Sequence, residues 1–227
     1  MINNRKIHYY KNSDPIEYLT AINKMDEIVD NIINGKTNEV LWFLEHPSVY
    51  TAGTSSKNKD LLNDGLFPII QTGRGGQYTY HGPGQRVIYV MINLAYYKKD
   101  VRQYVKYLEK WLINLLFRFG IDAKAHCGRI GIWVDEKKEG LVQEKKIAAI
   151  GVRIRRWVSL HGISLNISPN LQNYKGIVPC GLNEYGVTSI KNLGLSVENE
   201  LIDKILIEEF EKIFKVFIEH KQELVIR

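Results

Sequence analysis

Between Thr72 and Gln85 the chain reads Thr-Gly-Arg-Gly-Gly-Gln-Tyr-Thr-Tyr-His-Gly-Pro-Gly-Gln, with five glycines set around one arginine and one histidine. This run lies between two apolar strands and describes a backbone made to lie against a ligand. Glycine takes positive φ freely and lets bare amide groups approach a substrate, while Arg74 and His81 supply polar groups at a fixed offset. Two later segments carry reactive side chains. Lys146 opens Lys-Ile-Ala-Ala-Ile-Gly151, and Cys180 stands in Ile-Val-Pro-Cys-Gly181. A glycine cradle, a lysine at the start of an apolar strand and a cysteine in a Pro-Cys-Gly turn together point to acyl transfer through a thioester.

At 227 residues and 44% hydrophobic content, the chain can bury one substantial core, and one domain over residues 1–227 is expected. No apolar stretch approaches the ~20 residues of a membrane span, and Asp14 and Glu17 stand where a signal peptide would be apolar. The expectation is a soluble, cytoplasmic monomer. With only Cys127 and Cys180, a disulfide scaffold is excluded, and no Cys/His pair has the spacing of a structural zinc site. The net charge of +6 is spread over scattered lysines, which suits an acidic carrier protein better than nucleic acid. Arg153-Ile-Arg-Arg156 reads as strand, with one arginine set against a carboxylate.

Asp14-Pro15-Ile-Glu17 has the pattern of a helix N-terminus, and Tyr18, Ile22, Val29 and Ile33 continue at helical spacing. Residues 39–44 and 86–94 read as strands. Asp100 caps a helix carrying Val101, Tyr104, Leu108, Leu112, Leu115 and Phe119 and stopped by Gly120. Residues 129–134, 146–154 and 158–167 read as sheet, and 135–140 as an exposed, charged hairpin loop with no buried content. An amphipathic helix over about 197–219 presents Leu201, Ile205, Phe210, Ile213 and Phe217. The sum is an α/β or α+β domain with a mixed sheet and packed helices.

Five blocks in order resemble the lipoyl(octanoyl) transferase family, the lipoate-protein ligase B type of enzyme. They are Arg74 to Gln85, Gly128-Arg-Ile-Gly-Ile-Trp-Val134, Lys146 to Trp157, His161-Gly-Ile-Ser-Leu-Asn166, and Ile177-Val-Pro-Cys-Gly-Leu182 with Gly186-Val-Thr-Ser189. The match covers roughly residues 40–190. It implies a biotin/lipoate protein-ligase-like fold and transfer of octanoyl from octanoyl-acyl carrier protein to a lysine of a lipoyl domain, in 2-oxo acid dehydrogenases or the glycine-cleavage carrier protein. Cys180 matches the acyl-thioester nucleophile and Lys146 its partner. Arg74, Gly75, Gly76, Gln77, Tyr78, Thr79, Tyr80 and His81, then Ala149, Ile150 and Gly151, then Gly162, Ile163 and Ser164, match the segments enclosing the acyl chain. Ser164 departs from the small apolar residue common there, and the charged segment before Lys146 is long for the family.

The residue types suit this chemistry. A free thiol has a pKa of about 8.5, so a cysteine nucleophile needs a nearby cation or base. Lys146 can stabilise a thiolate as an ammonium and accept a proton as an amine. One thioester replaces another, and thioester to amide runs downhill, so neither ATP, metal nor other cofactor is expected. Gly75, Gly76 and Gly162 are candidate oxyanion donors. His161 is a possible orienting residue, whereas His46 reads as a satisfied structural histidine. Two other readings are an ATP-dependent lipoate ligase and a non-catalytic carrier-binding module. Gln77, standing where the ligase motif has a third glycine, weighs against the first; retention of both Lys146 and Cys180 weighs against the second.

Overall fold

The computed structural model describes residues 5–138, 140–179 and 185–226. In chain order its elements are β1 (Lys6–Lys11), α1 (Tyr18–Ile33), β2 (Val40–Leu44), β3 (Val49–Ala52), β4 (Ile69–Gln71), β5 (Tyr78–His81), β6 (Gln85–Met91), α2 (Val101–Arg118), β7 (Ala123–His126), β8 (Arg129–Lys138), β9 (Leu141–Arg155), β10 (Val158–Asn166), β11 (Gly186–Val187), α3 (Asn199–Phe214) and β12 (Phe217–His220). The main sheet runs β12-β1-β2-β6-β10-β9-β8-β7, with β11 added beside β9, and mixes parallel and antiparallel pairs. A small sheet, β4-β3-β5, packs separately.

Both faces of the main sheet are covered, which explains why β2 is apolar at every position and β6 is apolar from Val87 to Met91. In β2, Leu41 and Phe43 join Ile88 and Val90 of β6 beneath α2 and α3, while Val40, Trp42 and Leu44 join Val87, Tyr89 and Met91 beneath α1. Arg86 anchors α3 through a buried, two-pronged ion pair, its Nε donating to Asp203 Oδ1 at 3.0 Å and its Nη2 to Oδ2 at 3.2 Å. Tyr50, Tyr78, Tyr80, Tyr174 and Ile177 form a third cluster that fixes the small sheet. Among the described residues no helix is long and apolar enough to cross a membrane.

Asp100 caps α2 as expected, accepting from the Gln103 amide at 3.0 Å, and Gly120 follows its end at φ +73°. Other boundaries differ from the sequence reading. Asp14 is no N-cap: α1 starts at Tyr18 because the Ile16 amide donates to the Glu45 carbonyl and its carbonyl accepts from His46, holding the preceding residues extended. The charged segment is a hairpin as expected, but its strands run further than a loop allows, since β8 and β9 pair out to Lys138 and Leu141. It is not without buried content, because Glu136 accepts from Thr188, Asn192 and Lys145. The last helix ends at Phe214, Lys215 turns left-handed at φ 54°, and β12 follows. Phe217 in β12 and Leu201 on the outer face of α3 are exposed, and Ile202, Leu206 and Phe214 fill the core.

Candidate active site

The segment 72–77 joins β4 to β5 and lies across β9, where the Gly75 amide donates to the Val152 carbonyl at 3.1 Å. That bond removes Gly75 from the candidate oxyanion donors. Arg74 turns inward and is buried, its guanidinium donating to the carbonyl and hydroxyl of Thr51 and to the Gly75 carbonyl. Between this segment and strands β9 and β10 lies a cavity of about 380 Å³, a size typical of small-molecule sites.

Arg74, Gly75, Gly76, Gln77, Thr79 and His81 line it, together with Ala149, Ile150, Gly151, Gly162, Ile163, Ser164, His161 and Lys146. Tyr78 and Tyr80 do not. Successive side chains of a strand face opposite ways, so Thr79 and His81 point to the cavity while Tyr78 and Tyr80 pack into the aromatic cluster behind β5. Cys180 lies outside the described residues. The chain is next described at Tyr185, whose ring packs on Trp133 at 5.2 Å, and the Thr188 amide then donates to the Lys146 carbonyl.

Lys146 owes its direction to a register break. Ile132 pairs with Ala148 but Trp133 pairs with Lys146, so Ile147 is an extra residue in β9. Without it, Lys146 would share the face of Ala148, which packs under the helices. The bulge turns Lys146 onto the face of Trp133 and Ala149 instead. Its ammonium is buried, 4.6 Å from the Trp133 ring centroid, and donates to the Ile130 carbonyl at 3.1 Å. Gly131, at φ +127°, makes the room: a Cβ there would stand 3.2 Å from Lys146 Nζ.

His161 is aimed by a comparable device. Ile163 and Leu165 of the same strand pack beneath α2 and α3, and alternation would send His161 there too. Its backbone is left-handed instead, φ 61°, and the ring meets Tyr89 edge-on at 6.1 Å on the α1 face. Burial, with Arg74 and Arg153 nearby, lowers its pKa to about 3. Burial, with His46 and Arg74 close by, likewise holds His81 well below the ordinary histidine value. His81 Nδ1 donates to Gln85 Oε1 at 2.7 Å, because the Gln85 amide nitrogen already donates to Tyr80, Asn166 and Tyr174. His81 is thus a neutral imidazole with an unprotonated Nε2. His46 is structural: Nδ1 donates to the Ile16 carbonyl and Nε2 accepts from the Tyr89 hydroxyl.

The sequence reading missed Tyr18, Tyr89 and Gly128 to Ile130 as cavity residues. Tyr18 belongs to the apolar stripe of α1, which carries no signal beyond core packing. Gly128 just before the strand and Gly131 inside it were visible in the sequence, and a glycine within a strand marks close approach.

A mixed sheet with a glycine-rich segment folded over its central strands, and a buried lysine and histidines beneath it, defines a fold with an enclosed small-molecule cavity. Residues 17–211 match the model of the lipoyl protein ligase A/B catalytic domain, and the chain belongs to that family. It is 45% identical over 221 residues to an octanoyltransferase of Bartonella henselae, covering 95% of this chain and 90% of that one. In fold it resembles a bipartite lipoate protein ligase from Thermoplasma acidophilum, with TM-score 0.69 and 14% identity over 97% of this chain and 88% of that one. It also resembles the biotin protein ligase of Aquifex aeolicus, with TM-score 0.54 and 10% identity over 93% and 70%.

Proposed function

We propose that this chain is an octanoyltransferase that moves octanoyl from octanoyl-acyl carrier protein to a lysine of lipoyl domains, in 2-oxo acid dehydrogenases and the glycine-cleavage carrier, through a thioester on Cys180. The observation that carries this reading is the buried ammonium of Lys146, turned by the bulge at Ile147 into the wall of a cavity. A lysine confined this way has no packing role that an apolar side chain would not fill better. The relatives named octanoyltransferase support the substrate class.

In the first half-reaction the Cys180 thiolate attacks the thioester carbonyl. The carbon–sulfur bond to the phosphopantetheine arm breaks, and the departing thiolate takes a proton from the Lys146 ammonium. In the second, the lipoyl-domain amine attacks the Cys180 acyl group and gives a proton to neutral Lys146, and the Cys180 thiolate leaves. The sequence ends where it began, with ammonium and thiolate. The acyl group arrives activated, so the reaction uses neither ATP nor metal. His81 and His161 stay neutral near pH 7 and contribute shape and hydrogen-bonding nitrogens to the cavity, not charge.

Intact mass after mixing with octanoyl-acyl carrier protein, without ATP, should show one octanoyl adduct. Cys180→Ala should abolish adduct and transfer, and Cys127→Ala, at an exposed thiol, should leave both intact. Transfer by Cys180→Ala, or release of pyrophosphate from ATP with each turnover, would replace this reading with adenylate-forming ligation.

A further inference from the structure

Tyr18 and His161 line the 380 Å³ cavity and, on their other side, a second space of about 90 Å³ beside α1 and β10. Among the described residues only those two side chains border both spaces, so together they form the partition between them. Ile22, Met25, Ile70 and Leu160 give the far space one apolar side, and Asp26, Gln71, Thr72 and Arg153 border the rest, toward solvent. An alkyl chain longer than the main cavity could run along that apolar side only past Tyr18 and His161.

The partition is fixed from both sides. The Tyr18 hydroxyl is hydrogen-bonded among Thr72, Arg74 and Thr51, and its ring stacks on His81, 15° from parallel with centroids 5.8 Å apart. His161 is set by its left-handed backbone and by its amide, which donates to the Met25 sulfur at 3.0 Å. The Tyr18 ring cannot swing aside without losing these bonds. Aromatic and neutral imidazole surfaces can border a hydrocarbon tail without the cost of burying a charge.

We propose that Tyr18 and His161 set acyl-chain length, stopping a medium chain at the end of the main cavity and barring longer saturated chains from the space behind. This rests on the acyl-transfer reading above. It makes specificity a property of one helix N-terminus meeting one strained strand position, remote in sequence from Lys146 and Cys180. Removing the Tyr18 ring would join the two spaces.

The test compares octanoyl- and dodecanoyl-pantetheine as donors, following acylation by intact mass, alongside equilibrium binding of free octanoate and dodecanoate. Tyr18→Ala should raise the dodecanoyl-to-octanoyl ratio of kcat/KM by at least about tenfold, since each added buried methylene strengthens binding. Tyr18→Phe, which keeps the ring and removes only the hydroxyl, should leave the ratio near wild type. If Tyr18→Ala does not fold, His161→Gly decides, because glycine accepts φ 61° and opens the same wall. Wild-type ratios in folded Tyr18→Ala and His161→Gly would overturn the proposal. Wild-type protein that binds octanoate but is never acylated would overturn the transfer reading instead, and the binding ratios would still judge the partition.

Discussion

Lys146 and Trp133 face each other across the β8–β9 pair, ammonium 4.6 Å from ring centroid, because one extra residue in β9 brings them to the same side. A contact of this kind contributes about 0.5–2 kcal/mol when desolvated and fixes a long, flexible side chain in one place. Gly131→Ala tests the arrangement. Its Cβ would stand 2.9 Å from the Ala148 carbonyl oxygen and 3.1 Å from Lys146 Cε, on a backbone at φ +127°. Transfer should fall roughly tenfold or more, equivalent to about 1.4 kcal/mol, and thermal stability should drop by about 1–3 kcal/mol. Unchanged kinetics in the folded variant would remove the Lys146 position from the rate.

The two duties assigned to Lys146 separate by substitution. Lys146→Arg keeps a positive charge but cannot give up its proton, so acylation of Cys180 should slow only in part, while transfer from octanoyl-enzyme to the lipoyl domain should fall much further. Lys146→Met should impair both half-reactions and raise the pH at which iodoacetamide alkylates Cys180. Equal losses in both half-reactions for both variants, with an unshifted alkylation profile, would reduce Lys146 to a packing role.

Acid should destabilise the fold through its buried histidines. Burial lowers the His46 pKa to about 4 and that of His161 to about 3. In the unfolded chain each titrates near 6.5, so below that pH the unfolded state binds more protons and stability falls with pH. The His46 contribution is complete above about pH 6.5 and is lost progressively as pH drops toward 4. Melting temperature should follow this course, and His46→Gln should flatten it, since an amide can keep the bond to the Ile16 carbonyl without titrating. An equally steep slope in the variant would assign the acid sensitivity to other groups.

Gly76 and Gly162, both read from sequence as acyl-site wall, should respond differently to added side chains. A Cβ on Gly162 would overlap the carbonyl oxygen of Ile88 in the neighbouring strand, so Gly162→Val should break the sheet and abolish soluble folded protein. A Cβ on Gly76 finds Arg74 Nη1 no closer than 3.6 Å, although its φ of +87° strains any other residue. Gly76→Ala should therefore fold, at a cost of about 1–2 kcal/mol, and show its effect as a raised KM for the acyl donor. Circular dichroism melts together with acylation kinetics distinguish the two outcomes.

The central strands, α2 with its Asp100 cap, and the candidates Arg74, His81 and Lys146 were legible in the sequence because each depends on local pattern: apolar runs, a capping side chain, glycine density, a lysine before an apolar strand. The resemblance of five short blocks carried the family. Where β9 slips by one residue, where His161 turns left-handed, and which of Thr79, Tyr80 and His81 faces the cavity were not legible. A strand's two faces are chemically alike when both are buried, and a single bulge or positive φ exchanges them without any mark in the residues themselves. Strand β1, β12 and the late start of α1 likewise depend on partners distant in sequence, as when Ile16 bonds Glu45 and Lys6 pairs with Phe217. Local composition determined which chemical groups this protein carries; long-range pairing decided which of them meet, because direction in a doubly covered sheet is set by register.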